Sequence, residues 1–157
     1  MKDKKELYRT LWQSLDMDWV RKYLIKVLVV TGAALLLAVF PLMNLPKEEI
    51  IQVCAATAAM VILPVLLFCL WRTLRIFWKA ESYTFNRCKL DRPKGGALRD
   101  TMRFTVVVQD REGRSYAVDT HSIFATHGTF SPLLEEYVNC TVTIAYNEET
   151  ETVVVIE

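Results

Sequence analysis

Histidine is almost missing from this 157-residue chain, and so are the glycine patterns that cradle phosphates. There are two histidines, His121 and His127, and five glycines. No G-x-S-x-G, P-loop, dinucleotide-binding glycine pattern or H-E-x-x-H occurs, which removes the usual sequence grounds for nucleophilic, nucleotide and zinc-hydrolase chemistry. The four cysteines, Cys54, Cys69, Cys88 and Cys140, lack the close paired spacing of a zinc site. Charge of one sign is not in excess either: 19 Lys and Arg face 18 Asp and Glu, a net charge of +1. Such a balance provides no broad field for nucleic acid. Glu135-Glu136, Glu148-Glu149 and Glu151 read as solvated turns, not as an opposed carboxylate pair.

What the chain has instead is apolar length. Residues 27–43 carry no charge, Leu24-Ile25 extend the run, and residues 50–71 form a second uncharged run. At about 1.5 Å per helical residue, roughly 20 residues cross the ~30 Å hydrocarbon core. The linker 44–49 is short and turn-forming, so two such helices must be antiparallel. A soluble chain this small has no shell thick enough to bury both. Pro64 is expected to bend the second helix. Gly32-Ala33-Ala34 and residues 55–59 offer small faces for close approach. No ionisable residue lies deep in either run, which argues against a proton or ion pathway within this chain.

Positive charge sets the expected orientation. Lys2, Lys4, Lys5, Arg9, Arg21, Lys22 and Lys26 precede the first run, and Arg72, Arg75, Lys79, Arg87 and Lys89 follow the second. The linker has only Lys47, beside two glutamates. Both termini are therefore expected on the cytoplasmic side of an inner or plasma membrane. The domain reading is an amphipathic helix over 1–22, a transmembrane hairpin with a short stalk over 23–79, and a small β-domain over 80–157. In the first segment Leu7, Leu11, Leu15 and Trp19 recur every four residues. That stripe either lies in the membrane interface or packs on the β-domain.

Residues 82–90, 102–109, 114–120, 138–146 and 151–156 read as five strands, the second and third joined by the Asp110-Arg111-Glu112-Gly113 turn. Ser131-Pro132 is expected to start a helical turn, with Ser131 as its cap. The fold class is thus a membrane α+β protein: a two-helix transmembrane hairpin followed by a five-stranded antiparallel barrel of OB or SH3-like kind. The segments Asp110-Arg111-Glu112-Gly113-Arg114-Ser115-Tyr116 and Val142-Thr143-Ile144-Ala145-Tyr146-Asn147, with Val153-Val154-Val155, resemble bacterial membrane proteins in which a two-helix anchor carries a small cytoplasmic β-barrel. The NfeD-type anchored OB-folds are a more distant likeness. Where those families often place proline after the tyrosine turn, this chain has Glu148.

The expected function is a non-enzymatic scaffold or adaptor that presents the β-domain to protein partners. Phe124, Phe130 and Leu133, or an exposed strand edge, are the candidate docking features, with core filling as the alternative role of those three side chains. No catalytic residue, metal ligand or cofactor is assigned. The expected partners are the lipid bilayer and a membrane or cytoplasmic protein, without nucleic acid, and a homo-oligomer is left open. Two rival readings stand beside this one. One is an accessory or immunity-type subunit acting through its membrane helices. The other is a metal-dependent sensor or enzyme built on His121, His127, Asp119 and Cys140. In a reducing cytoplasm Cys88 and Cys140 are expected to stay thiols.

Overall fold

The computed structural model describes residues 4–42, 46–96, 100–127 and 131–156, with the side chains of 39–42 left aside. Helix α1 (Lys4–Trp12) is followed by α2 (Leu15–Leu42) and α3 (Lys47–Phe77). Two short strands and five longer ones follow: β1 (Tyr83–Lys89), β2 (Pro93–Gly95), β3 (Thr101–Gln109), β4 (Ser115–Asp119), β5 (Phe124–Ala125), β6 (Thr141–Asn147) and β7 (Thr152–Val155). A single helical turn, α4 (Leu134–Tyr137), precedes β6. The class is α+β with two antiparallel sheets, ordered β1-β6-β7 and β2-β3-β4, with β5 also on β3.

The amphipathic segment is not one helix. Ser14, fully buried, donates from Oγ to the Leu11 carbonyl at 2.7 Å and accepts from the Met17 N–H at 3.3 Å. This is an N-cap: it ends α1 and starts α2. The period-four stripe runs across the break and hides it in the sequence. Leu11, with Leu7 beside it, packs on Ile76, Ala80, Tyr83, Ala145 and Val154, so α1 covers the β-domain. Burying a leucine this fully contributes about 1.5–3 kcal/mol. Tyr8 and Trp12 stay half exposed around Phe77.

Helices α2 and α3 run side by side and antiparallel: Tyr23 meets Phe68 near one end, and Val30 to Ala38 face Val53 to Val61 further along. Their apolar surface is open, with Leu36 and Leu37 each 74% exposed and Met60 71%. Among the described residues, α3 is the helix long and apolar enough to cross a membrane. The expected two-span hairpin is therefore met by one span among the described residues; the far end of α2 reaches beyond the described side chains.

The corner between α3 and β1 is pinned. Lys79 takes the left-handed conformation (φ 51°). Buried Asn147 donates to the Lys79 carbonyl at 2.9 Å and accepts from the Glu149 and Thr150 amides. Tyr83 donates its hydroxyl to the Ile76 carbonyl at 2.9 Å. The hairpin at Asp110 forms as its turn residues dictate: the carboxylate accepts the Glu112 and Arg114 amides, and Gly113 supplies a φ of 80°.

The expected five-stranded, partly open barrel is corrected to two antiparallel sheets around a shared core, with no closed barrel among the described residues. After β1 ends at Lys89 the chain crosses to the other sheet, where β2 pairs with β3. Side chains stitch the seam between β1 and β3. Asn86 donates to the Gln109 carbonyl at 3.1 Å and accepts its N–H at 3.0 Å, in the manner of a strand residue. Cys88 donates to the Val107 carbonyl at 3.1 Å. The other seam, between β4 and β7, is not laddered. Phe104 and Phe124 fill the core edge to face, 4.8 Å apart.

Candidate functional site

Asp16 lies in the first turn of α2, on the face it shares with Trp19, Val20 and Tyr23 by helical spacing. Its side chain is fully buried. Oδ1 accepts from Arg72 Nη2 of α3 at 3.1 Å and from His121 Nδ1, in the loop after β4, at 2.5 Å. Oδ2 accepts the backbone N–H of Val155 in β7 at 2.8 Å. One carboxylate therefore joins both long helices to both sheets.

Trp19 completes the arrangement. The Arg72 guanidinium lies 4.5 Å from the centroid of its ring, and its indole N–H donates to Ser131 Oγ at 3.1 Å. Arg72 is itself buried. Burial alone raises the Asp16 pKa. The His121 charge and hydrogen bond, the Arg72 charge and the Val155 amide act the other way and hold it below the ordinary carboxylate value. The ionised carboxylate accepts only, so His121 presents Nδ1–H to it.

An Asp–His pair of this kind supplies two members of a nucleophilic triad. A triad would need a serine, threonine or cysteine at the other ring nitrogen of His121. In the described residues the node ties both long helices to both sheets.

The residues of the metal or enzyme reading fall in separate places. His127 is exposed. Asp119 is on the outer face of β3–β4, where Thr105 donates to it at 2.6 Å and Lys94 and Arg103 approach to 3.5 Å. The Thr105 hydrogen bond, then those two cations, outweigh burial and lower its pKa. Cys140 is exposed and donates to the Glu136 carbonyl. Among the described residues, no group of three or more His, Cys, Asp and Glu converges as a metal site would require. Cys88 is a buried free thiol, its pKa pushed up by burial.

The docking candidates divide as well. Phe124 is fully buried between Phe104 and Tyr137, which makes it a core residue. Leu133 is half buried; it caps α4 and lines a groove with Leu15, Lys22 and Tyr137. Phe130 lies outside the described residues. Ser131, expected to cap the helical turn, instead receives the Trp19 indole N–H, and Leu133 occupies the cap.

Sequence reasoning missed Asp16 and took Arg72 for a membrane-boundary cation. The available signal was Asp16 standing on an otherwise apolar helical face. No family model matches the chain, and no curated protein or solved structure matches it either.

Proposed function

We infer that this chain is a non-enzymatic membrane scaffold. In this reading α2 and α3 cross the bilayer together, both termini are cytoplasmic, and the β-domain is held at the membrane in a fixed orientation for protein partners. The observation that carries the reading is the uncovered apolar surface of the helix pair. A soluble core helix of the composition of α3 would be buried, and this one is not. The buried Asp16 node and the Asn147 corner support the rest, because each couples the helices to the sheets without a flexible linker. The cations Arg9, Arg21, Lys22, Lys26, Arg75 and Lys79 fall at the β-domain end, and Lys47 at the other. Arg72 is turned inward to Asp16 and serves the fold.

Alkaline carbonate extraction of membranes tests the anchor. The scaffold reading expects the chain in the pellet and solubilised only by detergent. A monodisperse soluble protein without detergent would refute it.

One observation favours the second reading, an accessory or immunity-type subunit acting through its helices. The Cα of Gly32 faces open space, with no atom within 4 Å of where a side chain would begin, and Ala55, Ala56 and Ala59 are exposed. Crosslinking from a Gly32→Cys variant in native membranes distinguishes the two. A specific partner crosslink at that position favours the accessory subunit, and its absence favours the scaffold.

A further inference from the structure

The two seams between the sheets are treated differently by the fold. The hydrogen bonds Asp110 N–H to Arg114 O and Thr120 N–H to Phe104 O fix the phase of the β3–β4 ladder. By alternation, the backbone groups of Ser115, Ala117 and Asp119 point away from β3. Ile156 N–H to Thr143 O fixes the β6–β7 ladder in the same way, so Val153 and Val155 point away from β6. On the β1 side, side chains take up the outward carbonyls of Val107 and Gln109 and the outward amide of Gln109: Cys88 donates to Val107, Thr84 and Asn86 donate to Gln109, and Asn86 accepts from it. On the β4–β7 side, among the described residues, Val155 N–H is the outward group with a partner, the Asp16 carboxylate. Among the described residues, the outward amides of Ala117, Asp119 and Val153 have none.

Between these two edges is a groove of about 400 Å³ lined by Tyr116, Val118, Asp119, Tyr146, Glu151 and Val153. Asp16 and His121 close one end of the seam, and Glu151 stands at the other. The Tyr116 and Tyr146 rings lie 6.3 Å apart. Asp119 is paired with Lys94 and Arg103, while Glu148 shares Arg114 with Asp110 and Glu112. Glu151 is exposed and has no ion pair among the described residues. The groove therefore combines unpaired strand edges, an aromatic pair and an acidic end at which Glu151 has no ion pair among the described residues.

We propose that the β4–β7 seam takes up an extended segment of a partner protein by strand addition, the segment alternating apolar residues with a Lys or Arg that sits by Glu151 and the two tyrosines. The occupant is committed by charge and by hydrogen bonding. A cation complements Glu151; the Tyr116 ring already carries the Arg114 guanidinium, 5.9 Å from its centroid, so the tyrosine pair offers apolar contact to the segment. An extended backbone satisfies edge amides that a helix or lipid chain leaves bare. The inference rests on the scaffold reading and names its docking surface.

The test uses the full chain in detergent micelles and follows amide exchange by NMR. The probes are nine-residue peptides alternating Val, Ile, Phe or Tyr with Lys, their Glu-for-Lys counterparts, and backbone N-methylated versions. The expected result is at least about tenfold slower exchange at Ala117, Asp119 and Val153 with a Lys peptide, abolished by N-methylation. Glu151→Lys is expected to weaken that peptide about tenfold or more and to favour the Glu peptide. Glu151 is on the surface, and an unchanged amide spectrum elsewhere confirms that the variant folds. No protection from any peptide at ~1 mM overturns the proposal. So does equal binding of the N-methylated peptide, or concentration-dependent protection of the same amides without peptide, which would make a second copy the occupant. Carbonate extraction is independent of all these outcomes: a pelleting chain that binds no peptide loses the seam proposal alone.

Discussion

The Asp16 carboxylate and His121 Nδ1 meet at 2.5 Å although 105 residues separate them in the chain. Helix α2 and the loop after β4 are thereby held together at a buried ionised group that also binds Arg72 and the edge of β7. A buried carboxylate is tolerable only when its charge and lone pairs are matched, and each Asp16 oxygen is matched here.

Asp16→Asn is expected to destabilise the folded chain by about 3–5 kcal/mol, because Arg72 loses its anion inside the protein. Denaturant unfolding in micelles, followed by tryptophan fluorescence in a background where Trp12, Trp71 and Trp78 are replaced by Phe, measures this. Arg72 stacks on the Trp19 ring, so the emission of the folded variant should change too. A variant with unchanged stability would remove Asp16 from the account of how helices and sheets are joined.

The same group sets an acid limit. The Asp16 pKa is lower in the folded chain than in the unfolded one. Its contribution is fully present above the ordinary carboxylate value of about 3.9 and is lost as pH falls through the folded value. Melting temperature is therefore expected to drop below about pH 4 in the wild type and to drop less steeply in Asp16→Asn. Equal acid slopes in the two proteins would contradict this.

Phe124→Ala is expected to act on stability, with a cost of about 3–5 kcal/mol from the cavity left against Phe104 and Tyr137. Leu133→Ala, at a half-buried position, should cost less. Chemical denaturation of both variants checks the order, and the reverse order would return Phe124 to the list of surface contacts.

Asn147→Ala removes the donor to the Lys79 carbonyl and the acceptor for two turn amides. It is expected to cost about 1–3 kcal/mol and to speed amide exchange from Lys79 through Tyr83. Exchange that stays at wild-type rates there would mean the corner is held by Tyr83 and packing alone.

Much of the β-domain was legible in the sequence because its strands obey local rules. Alternation marks β1, β3, β4 and β6, and Asp110 to Gly113 carries its own turn chemistry. Strand β2 was hidden in Pro93-Lys94-Gly95, which has loop composition and becomes a strand only by pairing with β3. The break at Ser14 was masked by a hydrophobic stripe that crosses it. The Asp16 node was not legible, because its partners come from α3, the β4–β5 loop and β7, and no local pattern announces contacts so distant in sequence. Phe124 could be read either way in the sequence, since a loop aromatic fills a core or faces a partner by the same composition.

The central claim, a β-domain held on the cytoplasmic side by the helix pair, is tested most directly at Cys140. It is the exposed thiol of the β-domain, whereas Cys88 is buried. A maleimide reagent that cannot cross membranes is applied to intact cells and then to lysed ones. The account predicts no labelling of Cys140 before lysis and labelling after it; labelling in intact cells would place the β-domain outside and contradict the account.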